Sequence, residues 1–420
     1  MTGTVLEPRR PWKGRRVVLG VTGGIAAYKS VQLARNLTRL GAEVDVVLTR
    51  SAQEFATPLS FEGVTGRDVF TSLWSVEGAA RHIRLGGEAD AVVVAPATAD
   101  FLARAAQGRS DDLLTTTLLA TRAPVVVCPA MNDRMWAHPA VQANAARLAE
   151  LGYQQAGPAA GPLAAGESDG AGRMLEPWQI VEWVGRALGS DPAFRGRTVL
   201  ITAGPTREAL DPVRFLGNRS TGRMGYALAQ AAWRRGARVR LVSGPSSLAA
   251  PEGVERIQVE TAREMLEAVR SQLEEAHVSI FAAAVADYRP REARDRKMKR
   301  GGDDAEPTLE LTANPDVAAD TRGRRAEGSI TVGFALETED LLEHARAKLE
   351  AKGFDLLVAN PAGEADAGFE SETNRVTLLS REGEAEELPL QSKDAVAEAV
   401  LDRVAELLPG ASDAAGAAQS

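Results

Sequence analysis

The sequence predicts an α/β protein of two domains, each built on a parallel sheet flanked by helices. Three observations carry this. Short apolar runs alternate with helical stretches along almost the whole chain, the pattern of repeated strand–helix–strand units. The 420 residues exceed one ordinary core, at about 100–200 residues per domain. The texture breaks once, at a Gly/Ala/Pro-rich stretch over residues 152–174, after which a second strand–helix series begins.

In the first series, RVVLGVT (16–22) is a short apolar run suited to a strand buried on both faces. Gly23 and Gly24 follow, and IAAYKSVQLARNLTRL then reads as a helix closed by Gly41. EVDVVLT (43–49), ADAVVVAPAT (89–98) and APVVVCPAMN (123–132) are further strands, each running into a polar loop. Right-handed crossovers place helices on both faces. Residues 152–174 are too long for a simple connection and read as a functional loop. EPWQIVEWVGRAL (176–188) is the closing helix.

The second series holds strands at RTVLITAG (197–204), ARVRLVSG (237–244), HVSIFAAAVADY (277–288), SITVGFALET (329–338) and FDLLVAN (354–360). Helices are expected at GYALAQAAWRRG (225–236) and EDLLEHARAKLEAKG (339–353), and NRVTLLS (374–380) reads as an edge strand. The expected division is a flexible lead at 1–15, a first domain at 16–189, a linker SDPAFRG at 190–196, a second domain at 197–408 and a disordered tail at 409–420.

Composition narrows the function. Hydrophobic residues make up 44% and charged residues 25%, the balance of a soluble globular chain. A net charge of -8 argues against nucleic acid as a partner, because such binding rests on phosphate neutralisation. The one cysteine, Cys128, excludes an internal disulfide and a cysteine-based zinc site. His82, His138, His277 and His344 are not at metal-ligand spacing. The N-terminus lacks the apolar core of a secretory signal, and no run approaches the ~18 apolar residues of a span. A cytoplasmic protein with no membrane partner is expected.

Every strand of the first series ends in a loop of small or polar residues, and open parallel sheets bind ligands at the carboxyl ends of their strands. The glycine spacing there, Gly20 to Gly24, is G-x-x-G-G rather than G-x-G-x-x-G. That weakens an NAD reading and leaves FMN or another phosphate open, beside the plain alternative of a strand-to-helix turn. In the second series, ITAGPTREALDPVRFLGNRSTGRMG (201–225) places Gly204 and Gly225 for close backbone approach. Ser220, Thr221 and backbone amides there can cradle phosphates, against the alternative of an ordinary surface loop. AVADYRP (284–290) puts Asp287 past a strand end, and the charge run RDRKMKR (294–300) is either a solvated face or a phosphate site.

GVTGGIAAYKS, ARHIRLGGEADAVVVAPATADFLARAAQGRSDDLL and CPAMNDRMW resemble the flavin-dependent cysteine decarboxylases that act on 4'-phosphopantothenoylcysteine. The resemblance implies a flavodoxin-like or Rossmann-like domain that binds FMN. It makes His82 the catalytic base, where a lone histidine is otherwise more often structural. It makes Ala130, Met131 and Asn132 of PAMN the substrate-recognition segment, with the Asn132 amide holding the substrate carboxylate. FMN contacts are implied at Gly23, Gly24, Ile25, Ser51, Ala97 and Thr98, and substrate contacts at Arg173 and Met174. In the implied reaction FMN takes a hydride from the cysteinyl Cβ as the thiol loses its proton. The resulting thioaldehyde is an electron sink, so CO2 leaves and an enethiolate remains. Return of the hydride with a proton gives 4'-phosphopantetheine. A neutral imidazole suits the base role.

One feature departs from the family. Its substrate flap carries a cysteine in an A-C-G…G-R-M pattern and uses it as the final proton donor. Here the stretch is AAGESDGAGRM (164–174), with Ala165 in the cysteine's place and one extra residue before Arg173. Cys128 ends an apolar strand and is a poor substitute. Either Glu167, Ser168, Asp169 or a water delivers the proton, or the product stays at the enethiol; the second half of the chain favours the first reading.

In that half, TAGPTRE, LDPVRFLGNRSTGRMG, AAVADYRP, KMK, ANPDV, VGFALET and ARAKLEAKGFDLLVAN resemble the bacterial, CTP-using 4'-phosphopantothenate–cysteine ligases. The implied fold is a Rossmann-like nucleotide-binding domain. The implied chemistry is attack of the 4'-phosphopantothenate carboxylate on the α-phosphate of CTP, giving an acyl cytidylate and pyrophosphate. The amine of L-cysteine then displaces CMP. Asn218 would contact the acyl cytidylate, Lys297 the reacting phosphate, and Asp287 the nucleotide through its ribose or a metal. Asn314, Pro315, Asp316 and Val317 would read the base, with Phe334 packed near it. Lys348 and Lys352, four apart on one helix face, would meet the triphosphate. Mg2+ is implied, held mainly by phosphates and water.

The resemblance covers residues 16–405. The two halves stand in the order of a fused enzyme, and the ligase product is the decarboxylase substrate. The family pattern implies decarboxylase trimers with FMN at their interfaces and ligase dimers, together a dodecamer. Two rivals remain. In one, the first half only binds FMN and substrate beside an active ligase. The other, an NAD-dependent short-chain oxidoreductase, finds no Tyr-x-x-x-Lys pair.

Overall fold

A computed structural model of the chain describes residues 10–74, 80–163, 169–298, 308–337, 341–361, 368, 371–381, 383 and 385–409. It contains two compact units, Met1–Gly189 and Ser190–Ser420.

The first unit starts with β1 (Arg16–Val21), α1 (Ala27–Arg39), β2 (Glu43–Leu48), α2 (Pro58–Thr65), β3 (Val69–Phe70) and α3 (Arg81–Glu88). It continues with β4 (Ala91–Ala97), α4 (Ala99–Ala106), α5 (Leu113–Ala120), β5 (Val125–Pro129), α6 (Asp133–Ala137), α7 (Pro139–Glu150) and β6 (Gln154–Gln155). A small hairpin of β7 (Ala159–Ala160) and β8 (Ala171–Arg173) precedes the closing α8 (Pro177–Gly189). The main sheet is all parallel in the order β3-β2-β1-β4-β5-β6.

Alternation decides which face each side chain feeds. Val17, Leu19 and Val21 of β1 enter one core with Leu33, Leu37, Ile180 and Val184 of α1 and α8. Val18, with Val92 and Val94 of β4, enters the other, with Phe101, Leu102 and Leu114 of α4 and α5. Both faces are covered, so the strands carry no polar alternation. Each fully buried Val or Leu contributes about 1.5–3 kcal/mol relative to exposure. Gly20 has its reason in this packing: a Cβ there would lie 2.4 Å from Leu114 Cδ1.

The second unit runs β9 (Thr198–Ala203), β10 (Arg207–Ala209), β11 (Phe215–Gly217), α9 (Arg223–Arg234), β12 (Arg238–Ser243), β13 (Glu255–Gln258) and α10 (Ala262–Arg270). Then come β14 (Val278–Phe281), β15 (Tyr288–Pro290), β16 (Leu311–Ala313), β17 (Ile330–Glu337), α11 (Leu341–Lys352) and β18 (Leu356–Pro361). β19 (Thr373–Ser380), β20 (Ala385–Ser392) and α12 (Lys393–Leu407) complete it. The sheet order is β13-β12-β9-β14-β17-β18-β19-β20, parallel up to β18 and antiparallel beyond. Helices α9 and α12 pack together. Arg234 of α9 and Arg235 just past its end reach Glu398 of α12 at 3.0 and 2.8 Å.

Several expectations change. NRVTLLS is not at the edge: β20 pairs outside it, so β19 is an inner strand. Of the expected flexible lead, residues 10–15 are tied down, because Trp12 packs on the first core and its N–H donates to the Leu40 carbonyl at 3.1 Å. The expected linker is part of the second unit's packing. Phe194 is fully buried, and the Arg235 guanidinium lies 5.7 Å from its ring centre. The strand expected over 277–288 ends at Phe281, and the following residues form a cavity wall. Residues 1–9 of the lead and 410–420 of the tail lie outside the described residues.

Candidate active sites

In each sheet the strand order reverses direction once, between β1 and β4 and between β9 and β14. At such a switch point adjacent loops run to opposite faces and leave a crevice at the carboxyl ends of the strands. A cavity occupies each.

The first has a volume of about 810 Å3. Its walls include Gly23, Gly24 and Ile25 after β1, Ser51 after β2, Thr98 after β4, and Ala130, Met131 and Asn132 after β5. Gly172, Arg173 and Met174 of the β8 segment close it. The loops are bound to one another. Thr22 Oγ1 donates to the Pro96 carbonyl at 2.7 Å, and the Ala130 and Met131 N–H groups donate to the Ala97 and Gly172 carbonyls at 3.1 and 2.9 Å. A Cβ on Gly23 would lie 2.4 Å from Ser51 Cβ, and one on Gly172 would lie 2.3 Å from the Met131 oxygen. Helix α1 opens on this crevice with no side-chain cap and no acidic residue in its first turn, so its N-terminus is suited to an anion.

Asn132 caps α6: its Oδ1 accepts the Arg134 N–H at 2.9 Å. That fixes the carboxamide and leaves the Nδ2 donors for a ligand. Sequence reasoning missed Lys29 and Glu176. Lys29 lines the cavity, and its Nζ lies 2.8 Å from Glu176 Oε1, which also pairs with Arg173. The Lys29 hydrogen bond, with Arg173, holds the Glu176 carboxyl below its usual range against burial. Lysine at i and a carboxylate after the flap gave no recognisable spacing.

Two expected residues are not on this wall. Ala97 is fully buried within β4 and acts through its carbonyl. His82 lies on α3, which packs on α5, half-buried and with Nδ1 buried and without a hydrogen-bond partner. The cavity of a single chain does not include it. Burial pushes the Cys128 thiol well up. Ala165, Glu167 and Ser168 lie outside the described residues; Asp169 is exposed at the flap.

The second cavity, of about 440 Å3, gathers Asn218, Asp287, Asn314, Pro315, Asp316, Val317, Phe334, Lys348 and Lys352. Asn218 Nδ2 donates to the Ala284 and Val285 carbonyls at 3.1 and 3.2 Å, and Asn314 Nδ2 to the Ala286 carbonyl at 2.8 Å. These two amides hold the loop that presents Asp287. Lys352 Nζ lies 2.9 Å from Asp316 Oδ2. Burial would raise the Asp316 pKa, but Lys352 and the Ala318 and Ala319 N–H groups hold it low. Val317 is 4% exposed, so it packs more than it reads. Gly222 (φ +82°) starts α9 beside Ser220 and Arg223, again with no side-chain cap and no acid in the first turn.

Lys297 is exposed and outside the lining. Its neighbour Met298 is pinned by Asp211 Oδ2 on its N–H at 3.2 Å and by Arg214 on its carbonyl at 2.7 Å. Sequence reasoning also missed Asn360, Asn374 and Lys393 on the cavity wall. Among the described residues no group of three His, Cys, Asp or Glu side chains is placed to hold a metal. No described helix is long and apolar enough to cross a membrane.

Residues 5–189 match the family model described as Flavoprotein, and residues 194–408 the model described as DNA/pantothenate metabolism flavoprotein C-terminal domain. The coenzyme A biosynthesis bifunctional protein CoaBC of Vibrio vulnificus (strain YJ016) is 47% identical over 397 residues, 94% of this chain and 98% of that one. The crystal structure of a CoaBC C-terminal domain is 39% identical, covering 51% of this chain and 97% of that one (TM-score 0.44). A variant of PPC decarboxylase complexed with pantothenoylaminoethenethiol is 34% identical, covering 40% of this chain and 96% of that one (TM-score 0.37). Two switch-point cavities, two family models over residues 5–189 and 194–408, and a CoaBC relative matched over 94% of this chain lead to one assignment: the chain belongs to the CoaBC family of bifunctional coenzyme A biosynthesis proteins.

Proposed function

We propose that the second unit joins 4'-phosphopantothenate to L-cysteine at the expense of CTP, and that the first decarboxylates the product to 4'-phosphopantetheine with FMN. The observation that carries this is the convergence of the two motif sets on two separate cavities.

The first cavity fits FMN: its glycines admit a close ligand, and the start of α1 offers uncapped N–H groups to a phosphate. When bound, FMN supplies reversible hydride acceptance at the cysteinyl carbon. The chain does the rest. Asn132 Nδ2 holds the substrate carboxylate, the β8 segment covers it, and Arg173 stands at its rim under the hold of Glu176. His82 takes the thiol proton. Since His82 is off its own chain's cavity wall, it serves the cavity of a neighbouring protomer. Exposed Ile83 beside it and Leu119 on the contacting α5 offer an apolar surface for that association.

In the second cavity Lys348 and Lys352 neutralise the triphosphate, Asp287 faces the nucleotide, and Lys297 swings in from the loop anchored at Met298. Mg2+ would be held mainly by phosphates and water, with Asp287 of the cavity wall as a carboxylate that could join them. The protein works in the cytoplasm.

The test supplies CTP, cysteine and 4'-phosphopantothenate to purified protein and reads CMP, CO2 and product mass. CMP, CO2 and 4'-phosphopantetheine are expected. A product lighter by two hydrogens means that Ala165 leaves the last reduction undone, and absent CO2 sinks the decarboxylase reading. His82→Asn should stop CO2 while CMP continues.

A further inference from the structure

Helix α11 carries Lys348 and Lys352 to the second cavity, yet its own grip on the sheet is thin: of its described side chains only Ala345 and Leu349 are buried. Its C-terminal end is held instead by arginines. Gly353 turns the chain out of the helix at φ +62°. Around it, Arg322 Nη1 donates to the Ala351 carbonyl at 3.3 Å, and Arg325 Nη1 to the Lys352 and Gly353 carbonyls at 3.1 and 3.0 Å. Arg381 Nε donates to the Phe354 carbonyl at 2.8 Å. The last carbonyls of a helix have no partner within it, and cations beside them suit the macrodipole.

Arg325 also reaches across to a second wall. Its Nη2 donates to the Ala318 carbonyl at 2.6 Å, so one guanidinium joins the end of α11 to the turn that follows Asp316. The same turn and helix end meet again on the cavity side, where Lys352 Nζ pairs with Asp316. Arg325 Nε is buried with no hydrogen-bond partner. The guanidinium lies 5.6 Å from the Phe281 ring centre and 5.8 Å from that of Phe354, within cation–π range. Ala318, Phe281, Phe354 and Lys352 all line the cavity, and Arg325, outside the lining, backs them. Asp316 also accepts the Ala318 and Ala319 N–H groups at 3.1 Å each, so Lys352 can turn to a ligand anion without stranding that carboxylate. A rigid fork of donors holds two walls at a set spacing, which the single point charge of a lysine does not.

We propose that Arg325 is a positioning residue for the nucleoside triphosphate: by fixing the end of α11 against the 316–318 turn, it sets where the Lys352 ammonium meets the phosphates. Arg325 touches no ligand itself and acts through Lys352. This rests on the ligase reading, which supplies CTP as the ligand.

The experiment follows CMP release by the full-length protein, with CTP, 4'-phosphopantothenate and cysteine varied in turn. Arg325→Met should raise KM for CTP by about tenfold or more and leave the other two KM values within about twofold of wild type. Lys352→Gln should raise KM for CTP as well. Adding Arg325→Met to it should raise that KM by less than about twofold more, because the group it positions is gone. An arginine that merely stabilises the fold would instead give effects that multiply. If Arg325→Met does not fold, Arg325→Lys takes its place; it keeps a charge beside the two rings but loses the fork, and the same pattern is expected. Wild-type KM for CTP in the folded variant overturns the proposal, as do an equal rise in all three KM values and multiplying effects in the double variant. So does a Lys352→Gln protein with wild-type KM for CTP. Wild-type protein that releases no CMP overturns the ligase reading itself, and the proposal with it.

Discussion

A Cβ on Gly225 would lie 2.4 Å from Ala203 Cβ, where the start of α9 rests on β9. Nothing at that contact is a flexible side-chain end, so Gly225→Ala must push the helix start off the sheet. Overpacking of this kind costs about 1–3 kcal/mol, and here it displaces the N–H groups facing the second cavity. CMP release should fall by about tenfold or more, while flavin content and CO2 release from supplied 4'-phosphopantothenoylcysteine stay at wild-type levels. Equal loss in both halves counts against separate sites. Lys393 gives a second prediction at this scale. Burial, then the Arg223 charge, pushes its ammonium down from the ordinary 10.5 to about 8, so the unfolded chain keeps a proton that the folded chain releases. The sign follows: the penalty of burying the charge is complete below pH 8 and fades as pH rises toward 10.5. Without ligands, Lys393→Met should therefore raise the melting temperature at pH 7, and the gain should shrink by pH 10. A gain unchanged across that range rules out this origin.

At the scale of elements, the legible parts were those with a repeating physical signal. β1, β2, β4 and β5 are continuous apolar runs because both faces are covered, and their loops name the switch point directly. Lys348 and Lys352 could be placed on one face because α11 has a fixed period. Lys393 could not, because a lysine at the start of an amphipathic helix reads as solvated until β19 and α9 are seen to cover it. NRVTLLS looked terminal because AEELPLQS, its outer partner, is too polar to announce a strand. His82 was found by motif, but its motif says nothing about which chain's cavity it serves. The Asp211 clasp is likewise invisible in sequence. Asp211 accepts N–H groups of Val213, Arg214 and Met298, and Arg214 Nη2 lies 2.6 Å from it. Burial would raise its pKa, but these donors hold it far down. The clasp fixes the root of the loop that carries Lys297. Asp211→Ala should thus lower kcat for CMP release about as much as Lys297→Gln, and the double variant should fall no further than the worse single. Multiplying effects would mean that the clasp and Lys297 act independently.

For the whole molecule, the roles proposed for His82 and Asn132 require the two to meet at one substrate. They stand on different elements, α3 and the β5–α6 turn, and only Asn132 lines the cavity of its own chain. If α3 of one protomer closes the cavity of the next, the contact is head-to-tail and a ring must form to satisfy every site. That geometry predicts complementation. Co-expressed His82→Asn and Asn132→Asp chains, each inactive for CO2 release alone, should form mixed rings. In a random equal mixture, about a quarter of sites pair an intact Asn132 cavity with an intact His82 neighbour. CO2 release should then recover to about a quarter of wild type, and CMP release should stay unaffected throughout, since neither residue belongs to the second unit. The mixed assembly should remain larger than a monomer by light scattering. No recovery in a mixed assembly shown by mass spectrometry to contain both chains would place His82 and Asn132 in the same protomer's site, and α3 would then have to move onto its own cavity when substrate binds.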